Sequence, residues 1–304
     1  MKVITALAAI FIAFTATTAH AITEERKEYK WEFPVQGISG IAIKGVVGAI
    51  RIDTDRKNEI QIKAIRTVRA KDKNTAQLTL KDTPLTCNNE GGTLVLDDVI
   101  PDHLRRERFI EDSPEVEVEI EVHVPAGLRL SSSLVVGPTQ ISGEAAALTI
   151  KSGFGLVKLD SMKIKGGSVI GLDTGDLEVT GAFNDLQATL KVGSVRANLE
   201  TNTANRVAIQ TQVGSILAQL KSAPKQSLSA SASVGSVQLK VPGNTKGDAT
   251  VSAQTGKFRT DFNLTRRPRS VGDTGGLLTG TLGRGGTVQI KVTSGVGDAI
   301  LEKG

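Results

Sequence analysis

Glycine returns every 21 residues in the second half of this chain: Gly193, Gly214, Gly235 and Gly256 fall in one column. Two residues on stand Val195, Ile216, Val237 and Phe258, and two further on Ala197, Ala218, Leu239 and Thr260. Apolar residues alternate with polar ones through each run, the period-two signature of a strand with one buried face. A second strand precedes each glycine, with Val207, Leu228 and Ala249 aligned, then Ile209, Ala230 and Val251. Turn-rich stretches such as Pro242-Gly243-Asn244 separate them. Each repeat is therefore strand, turn, strand, glycine corner.

A two-strand unit of about 20 residues cannot bury its own apolar face, so such units must stack. Stacked at about 4.8 Å, every coil finds backbone partners above and below it. The glycines then permit a positive φ, or a tight corner, at the same point of each coil. The spacing predicts an all-β chain built as a β-solenoid with coils of 18–21 residues. Earlier coils place glycines at 137, 155 and 175. The solenoid is expected over residues 126–304, with a loop insertion at 263–285 leaving the stack.

Residues 22–125 read as an N-terminal region of alternating, antiparallel strands that covers one end of the solenoid. The strands are expected at 46–55, 59–68, 77–82, 92–98 and 115–125, and the charged segment 97–114 as a short helix or loop. Tyr29, Trp31 and Phe33 share one face of a strand and are expected to plug the end of the core.

Ahead of this stands Lys2, an apolar run from Val3 to Phe14, and then Ala19-His20-Ala21. That is the pattern of a secretory signal peptide, residues 1–21, cleaved after Ala21. The chain is expected to be exported, to the periplasm or the cell surface, with no transmembrane segment left after cleavage. Cys87 is the sole cysteine, so packing and backbone pairing, not an internal disulfide, must hold the fold. The 37 Lys and Arg against 32 Asp and Glu make a mild excess that does not argue for nucleic acid. Only eight aromatic residues lie beyond residue 21 to stack on bases or sugars.

An alternating-strand region, then EVEIEVHVPAGLRL, then glycine-centred repeats, then GGTVQIKVTSGVGDAIL: this succession resembles the bacterial putative-adhesin family of exported β-solenoid domains, a family of unknown function. The likeness runs from about residue 35 to 304. It implies a right-handed β-helix related in shape to pectin-lyase-like proteins, without a catalytic set of its own.

Because β-helices include polysaccharide lyases and hydrolases, clustered carboxylates were sought. The candidates are Asp160, Asp173, Asp176, Glu178 and Asp185, with Asp160 and Glu178 placed to lie one above the other. Asp173 and Asp176, however, sit in GLDTGD, ordinary turn chemistry. No catalytic motif, cofactor motif or metal-ligand spacing is recognised, and the chain reads as a non-enzyme. Two features suit binding. Gln210, Ser229, Ser231, Thr250 and Ser252 form a flat polar ladder fit for a glycan or a partner sheet. Arg266, Arg267 and Arg269 make a basic loop fit for anionic envelope polymers. Three functions remain open: adhesion or envelope scaffolding, sensing of envelope stress, and polysaccharide processing.

Overall fold

The computed structural model describes residues 22–55, 58–101, 104, 113–200, 206–223, 225–268, 275–283 and 286–304. Residues 1–21 with their cleavage site, most of the 97–114 segment and Arg269 lie outside the described residues.

Strands β1 (Thr23–Pro34), β2 (Gly40–Asp55) and β3 (Glu59–Ala70) precede helix α1 (Lys73–Asp82), followed by β4 (Leu85–Glu90), β5 (Thr93–Asp98) and β6 (Glu115–Pro125). Then come β7 (Arg129–Val136), β8 (Thr139–Ala145), β9 (Ala147–Phe154), β10 (Val157–Thr174) and β11 (Leu177–Val192). The regular repeats give β12 (Val195–Glu200), β13 (Arg206–Val213), β14 (Ile216–Leu220), β15 (Ser227–Val234) and β16 (Val237–Val241). They continue as β17 (Gly247–Thr255) and β18 (Phe258–Thr260). Last are β19 (Thr265–Pro268), β20 (Gly276–Leu282), β21 (Val288–Val296) and β22 (Ala299–Lys303).

The pairings resolve into two faces. One runs β1, β3, β6, the second half of β2, β8, the first halves of β10 and β11, then β12, β14, β16, β22 and β18. The other runs β4, β5, the first half of β2, β7, β9, the second halves of β10 and β11, then β13, β15, β21, β17, β20 and β19. The coil strands are parallel throughout, as a stack of like-directed turns requires. Each coil passes from the second face to the first through one glycine, and a single apolar core lies between the faces. Interior residues form ladders: Ile209, Ala230, Val292 and Val251 succeed one another and are each at most 2% exposed.

The glycine column has nine members, in the order Gly48, Gly137, Gly155, Gly175, Gly193, Gly214, Gly235, Gly297 and Gly256. Gly214 shows why no other residue serves. Its φ is +140°, and a Cβ there would lie 2.0 Å from the carbonyl oxygen of Gly193. The corner is a close backbone approach repeated coil upon coil. The next residue adds a side-chain stitch. Ser194 N donates to Asp176 Oδ1 (2.8 Å), Asp298 N to Ser236 Oγ (3.2 Å), and Lys257 N to Asp298 Oδ1 (2.9 Å).

The position of Gly297 corrects the expected order. The 21-residue period puts the coil of Gly256 directly on that of Gly235. Instead β21 pairs with β15 on one side and β17 on the other, and β22 lies likewise between β16 and β18. The end of the chain is inserted between two coils that are consecutive in sequence. Its residues carry the same alternation, so Ile290 and Val292 complete the interior ladders as well as Ala249 and Val251 would.

Two further expectations change. Residues 77–82 lie in α1, not a strand. Asp72 caps the helix by accepting from Thr75 N (2.8 Å), and Ala76 and Thr79, three apart, are its buried residues. The described part of 263–285 does not leave the stack, because β20 pairs antiparallel with β17 and β19 with β20, closing the exposed edge of the last coil. At the other end, Tyr29, Trp31 and Phe33 pack against the core as expected, the first two rings stacked at 5.5 Å. The coil motif itself begins within the N-terminal region, at β2 with Gly48.

Candidate interaction face

The carboxylates considered for polysaccharide chemistry are not gathered. Lys158, not Asp160, stands opposite Glu178. Asp160 lies one column along, where its Oδ1 accepts from Thr180 Oγ1 (3.1 Å) and Ser161 Oγ (3.2 Å). Asp173 is ion-paired with Lys191 at 2.7 Å, and Asp176 is engaged with Ser194 N. Asp160, Asp173 and Asp176 are each engaged by a neighbour, while Glu178 lies on the first face and Asp185 on the second, opposite Arg206, so the five do not converge on one point.

A grouping that spacing did not reveal lies nearer the N-terminus. Parallel pairing of β2 with β6 sets Asp53 opposite His123, with Glu121 two residues before it on the same face. His123 Nε2 is 3.4 Å from Glu121 Oε1, and one ligand atom from each of the three residues falls within 4.8 Å of the others. Burial would raise the Asp53 pKa, but hydrogen bonds from Ser142 and from Arg51 (2.8 Å) outweigh it and hold the carboxyl below its ordinary value. Beside the group is a shallow cavity of about 350 Å³ lined by Arg51, Lys63, Glu119 and Glu121 among others. The opposite charges there offset one another, and Arg51 already occupies Asp53.

The second face is different in kind. Gln210 stands directly opposite Ser231, and Ser231 opposite Thr293. Ser229 and Ser231 are therefore contiguous with Gln210, whereas Thr250 and Ser252 lie beyond the inserted β21, across Lys291 and Thr293. The structure thus brings the predicted ladder onto one face but splits it by one strand. Arg266 and Arg267 lie in β19 at its far margin.

Sequence reasoning passed over the residue before each corner glycine. Phe154, Val192, Val213, Val234 and Val296 occupy the middle of that column, separated once by Thr174, with the buried Val47 and then Val136 before them and Thr255 after. The five are 56%, 46%, 47%, 46% and 53% exposed. The result is a straight apolar ridge along the stack, bordering the ladder. The signal was in the repeat itself, where valine precedes glycine at 192, 213 and 234.

These features define an all-β, two-faced solenoid whose distinctive surface is a ladder of mainly Ser, Thr and Gln, crossed by Lys291 and edged by an apolar ridge. Residues 130–264 match the family model described as Toastrack DUF4097, in keeping with the resemblance seen in the sequence. Three solved structures are similar at a distance. A "putative cell adhesion protein" from Clostridium sporogenes is 13% identical with a TM-score of 0.31, covering 92% of this chain and 100% of its own. A "putative adhesin" from Bacteroides fragilis is 14% identical with a TM-score of 0.40, covering 91% and 97%. A "putative lipid binding protein" from Parabacteroides distasonis is 10% identical with a TM-score of 0.34, covering 91% and 96%. Likenesses this distant carry no argument about what the present chain binds. No protein with a curated description matches it. Among the described residues no helix is long and apolar enough to cross a membrane.

Proposed function

We propose that this protein is exported and acts at the cell envelope as a rigid, non-enzymatic surface, in adhesion or envelope scaffolding, on a right-handed coil. The observation that carries the reading is the second face. It offers seven parallel coil strands, β9 to β17, whose outward side chains are mainly Ser, Thr, Gln and Val. A ladder of this kind binds by area and shape, since no group on it is placed to take or give a proton to a substrate. The buried ladders behind it make the surface stiff, which lowers the ordering cost of binding.

Fractionation of the native host, with protease treatment of intact cells, tests this reading. The expected result is mature chain beginning at Ile22 in the periplasmic, surface or extracellular fraction. Retention in the cytosol with residues 1–21 attached would overturn it.

A further inference from the structure

From the sixth residue before each corner glycine up to the glycine, the central strands β13 and β15 present no charge outward: Ala208, Gln210 and Gln212 on one, Ser229, Ser231 and Ser233 on the other. Charges border this centre directly: Lys291 of β21 stands opposite Ser229, and Lys191 of β11 flanks Gln212. Farther off, Lys151 lies on β9, Asp173 and Lys191 neutralise each other, and Asp185, Arg206 and Asp248 stand near the starts of their runs on this face. The opposite side of the same coils is built otherwise, with Lys158, Glu178, Arg196, Lys240, Arg259 and Glu302 directed outward. Over six residues each, these two strands are clear of charge, and with the five exposed large apolar side chains beside them they have the composition of an interface centre inside a charged rim.

The size of the face selects the occupant. Seven strands at about 4.8 Å span roughly 29 Å, and eight residues at about 3.3 Å span roughly 26 Å. The product, about 750 Å² with the charged positions of the flanking strands counted as rim, is close to the roughly 800 Å² each partner contributes to a stable interface. We propose that this face closes on the same face of a second copy of the chain, related by a two-fold axis. An isologous contact asks for one self-complementary patch, and small side chains such as Ala208, Ser229 and Ser231 let two sheets approach to about 10 Å. The ridges from Phe154 to Val296 are then covered along their length. End-to-end pairing is the poorer route, because β1 carries Glu24, Glu25, Arg26, Lys27 and Glu28 in succession and β19–β20 close the other end. A neutral glycan fits less well, since Phe154 is the sole aromatic side chain that the described residues of the seven coil strands direct outward on this face.

The proposal rests on reading the second face as the working surface, and its test is independent of where the protein resides. The mature full-length chain is examined by sedimentation equilibrium over a range of concentrations, alone and with added neutral polysaccharide. It is compared with Val213→Lys/Val234→Lys and with Leu217→Lys on the opposite face, where Leu217 is 45% exposed. All three sites face solvent, so an unchanged circular-dichroism spectrum and a cooperative melting transition confirm that each variant is folded. The expected result is a dimer for the parent and for Leu217→Lys, with dimerisation weakened at least tenfold by the double change. A parent that is monomeric throughout overturns the pairing, as does a dimer indifferent to the double change. A monomer whose ridge is protected by polysaccharide alone assigns the face to a glycan, which overturns the pairing but leaves the envelope function standing.

Discussion

Gly235 donates its amide hydrogen to the carbonyl of Val296 at 2.7 Å, and by that bond the last coil of the chain is stitched into the interior of the stack. Gly297 in turn donates to Thr255 (2.8 Å), so the inserted coil is held on both sides. A terminal segment is ordinarily the first to fray. Here it separates two coils that would each lose a neighbour without it.

Val292, fully buried in that coil, is expected to matter as much as a mid-chain core residue. Val292→Ala should cost roughly 2 kcal/mol by lost burial and cavity formation. Denaturant titration measures it. A change within a few tenths of a kcal/mol would show that the C-terminal coil contributes little.

The corner column makes a sharper contrast. Gly214→Ala forces a Cβ to 2.0 Å from Gly193 O at a φ of +140°, and should cost about 3 kcal/mol or more, or prevent folding. Gly167→Ala, where a Cβ meets nothing within 4 Å, should stay within about 0.5 kcal/mol of the parent. Equal effects at the two positions would remove the close approach as the reason for glycine.

Much of this was legible in the residues. Alternation and glycine spacing located the coils because both express local geometry, namely which way a side chain points and where φ must be positive. Coil order was not legible, because residues 288–303 satisfy the same pattern as 247–260, and the choice between them is made by contacts 41 and 62 residues apart. Residues 77–82 alternate like a strand, yet the Asp72 cap and the burial of Ala76 and Thr79 make a helix. The grouping of Asp53 with His123 was hidden for a similar reason, since it exists only through the register of two parallel strands 70 residues apart.

Beneath α1, Arg66 and Asp98 form an ion pair with both side chains at most 1% exposed, and Asp98 Oδ2 also accepts from Val47 N (3.3 Å). Asp98→Asn removes the countercharge from a buried guanidinium and should cost about 3–5 kcal/mol. The double change Arg66→Met/Asp98→Leu should recover much of that loss. Chemical denaturation of the three proteins checks the pattern, and a double variant worse than the single one would contradict it.

Burial pushes the half-buried Cys87 thiol up to about 11 from an ordinary 9.0. The neutral thiol is the form the fold favours, so its contribution is complete below pH 9 and is lost as the pH rises towards 11. Melting curves of the parent should therefore fall faster over that interval than those of Cys87→Ala. Parallel pH profiles would show that the thiol is not the cause. Slow alkylation at neutral pH should accompany the shift.

The order of the coils is the centre of the account, and disulfide trapping reads it most directly. In a Cys87→Ser background, Ser231→Cys/Thr293→Cys places two thiols on adjacent parallel strands about 4.8 Å apart, within the reach of a disulfide. Ser231→Cys/Ser252→Cys places them on strands separated by β21, at roughly 9.6 Å, beyond that reach. Mild oxidation should give the intramolecular 231–293 bond in high yield and little of the 231–252 bond. The reverse result would mean that the repeats stack in sequence order and that the end of the chain lies elsewhere.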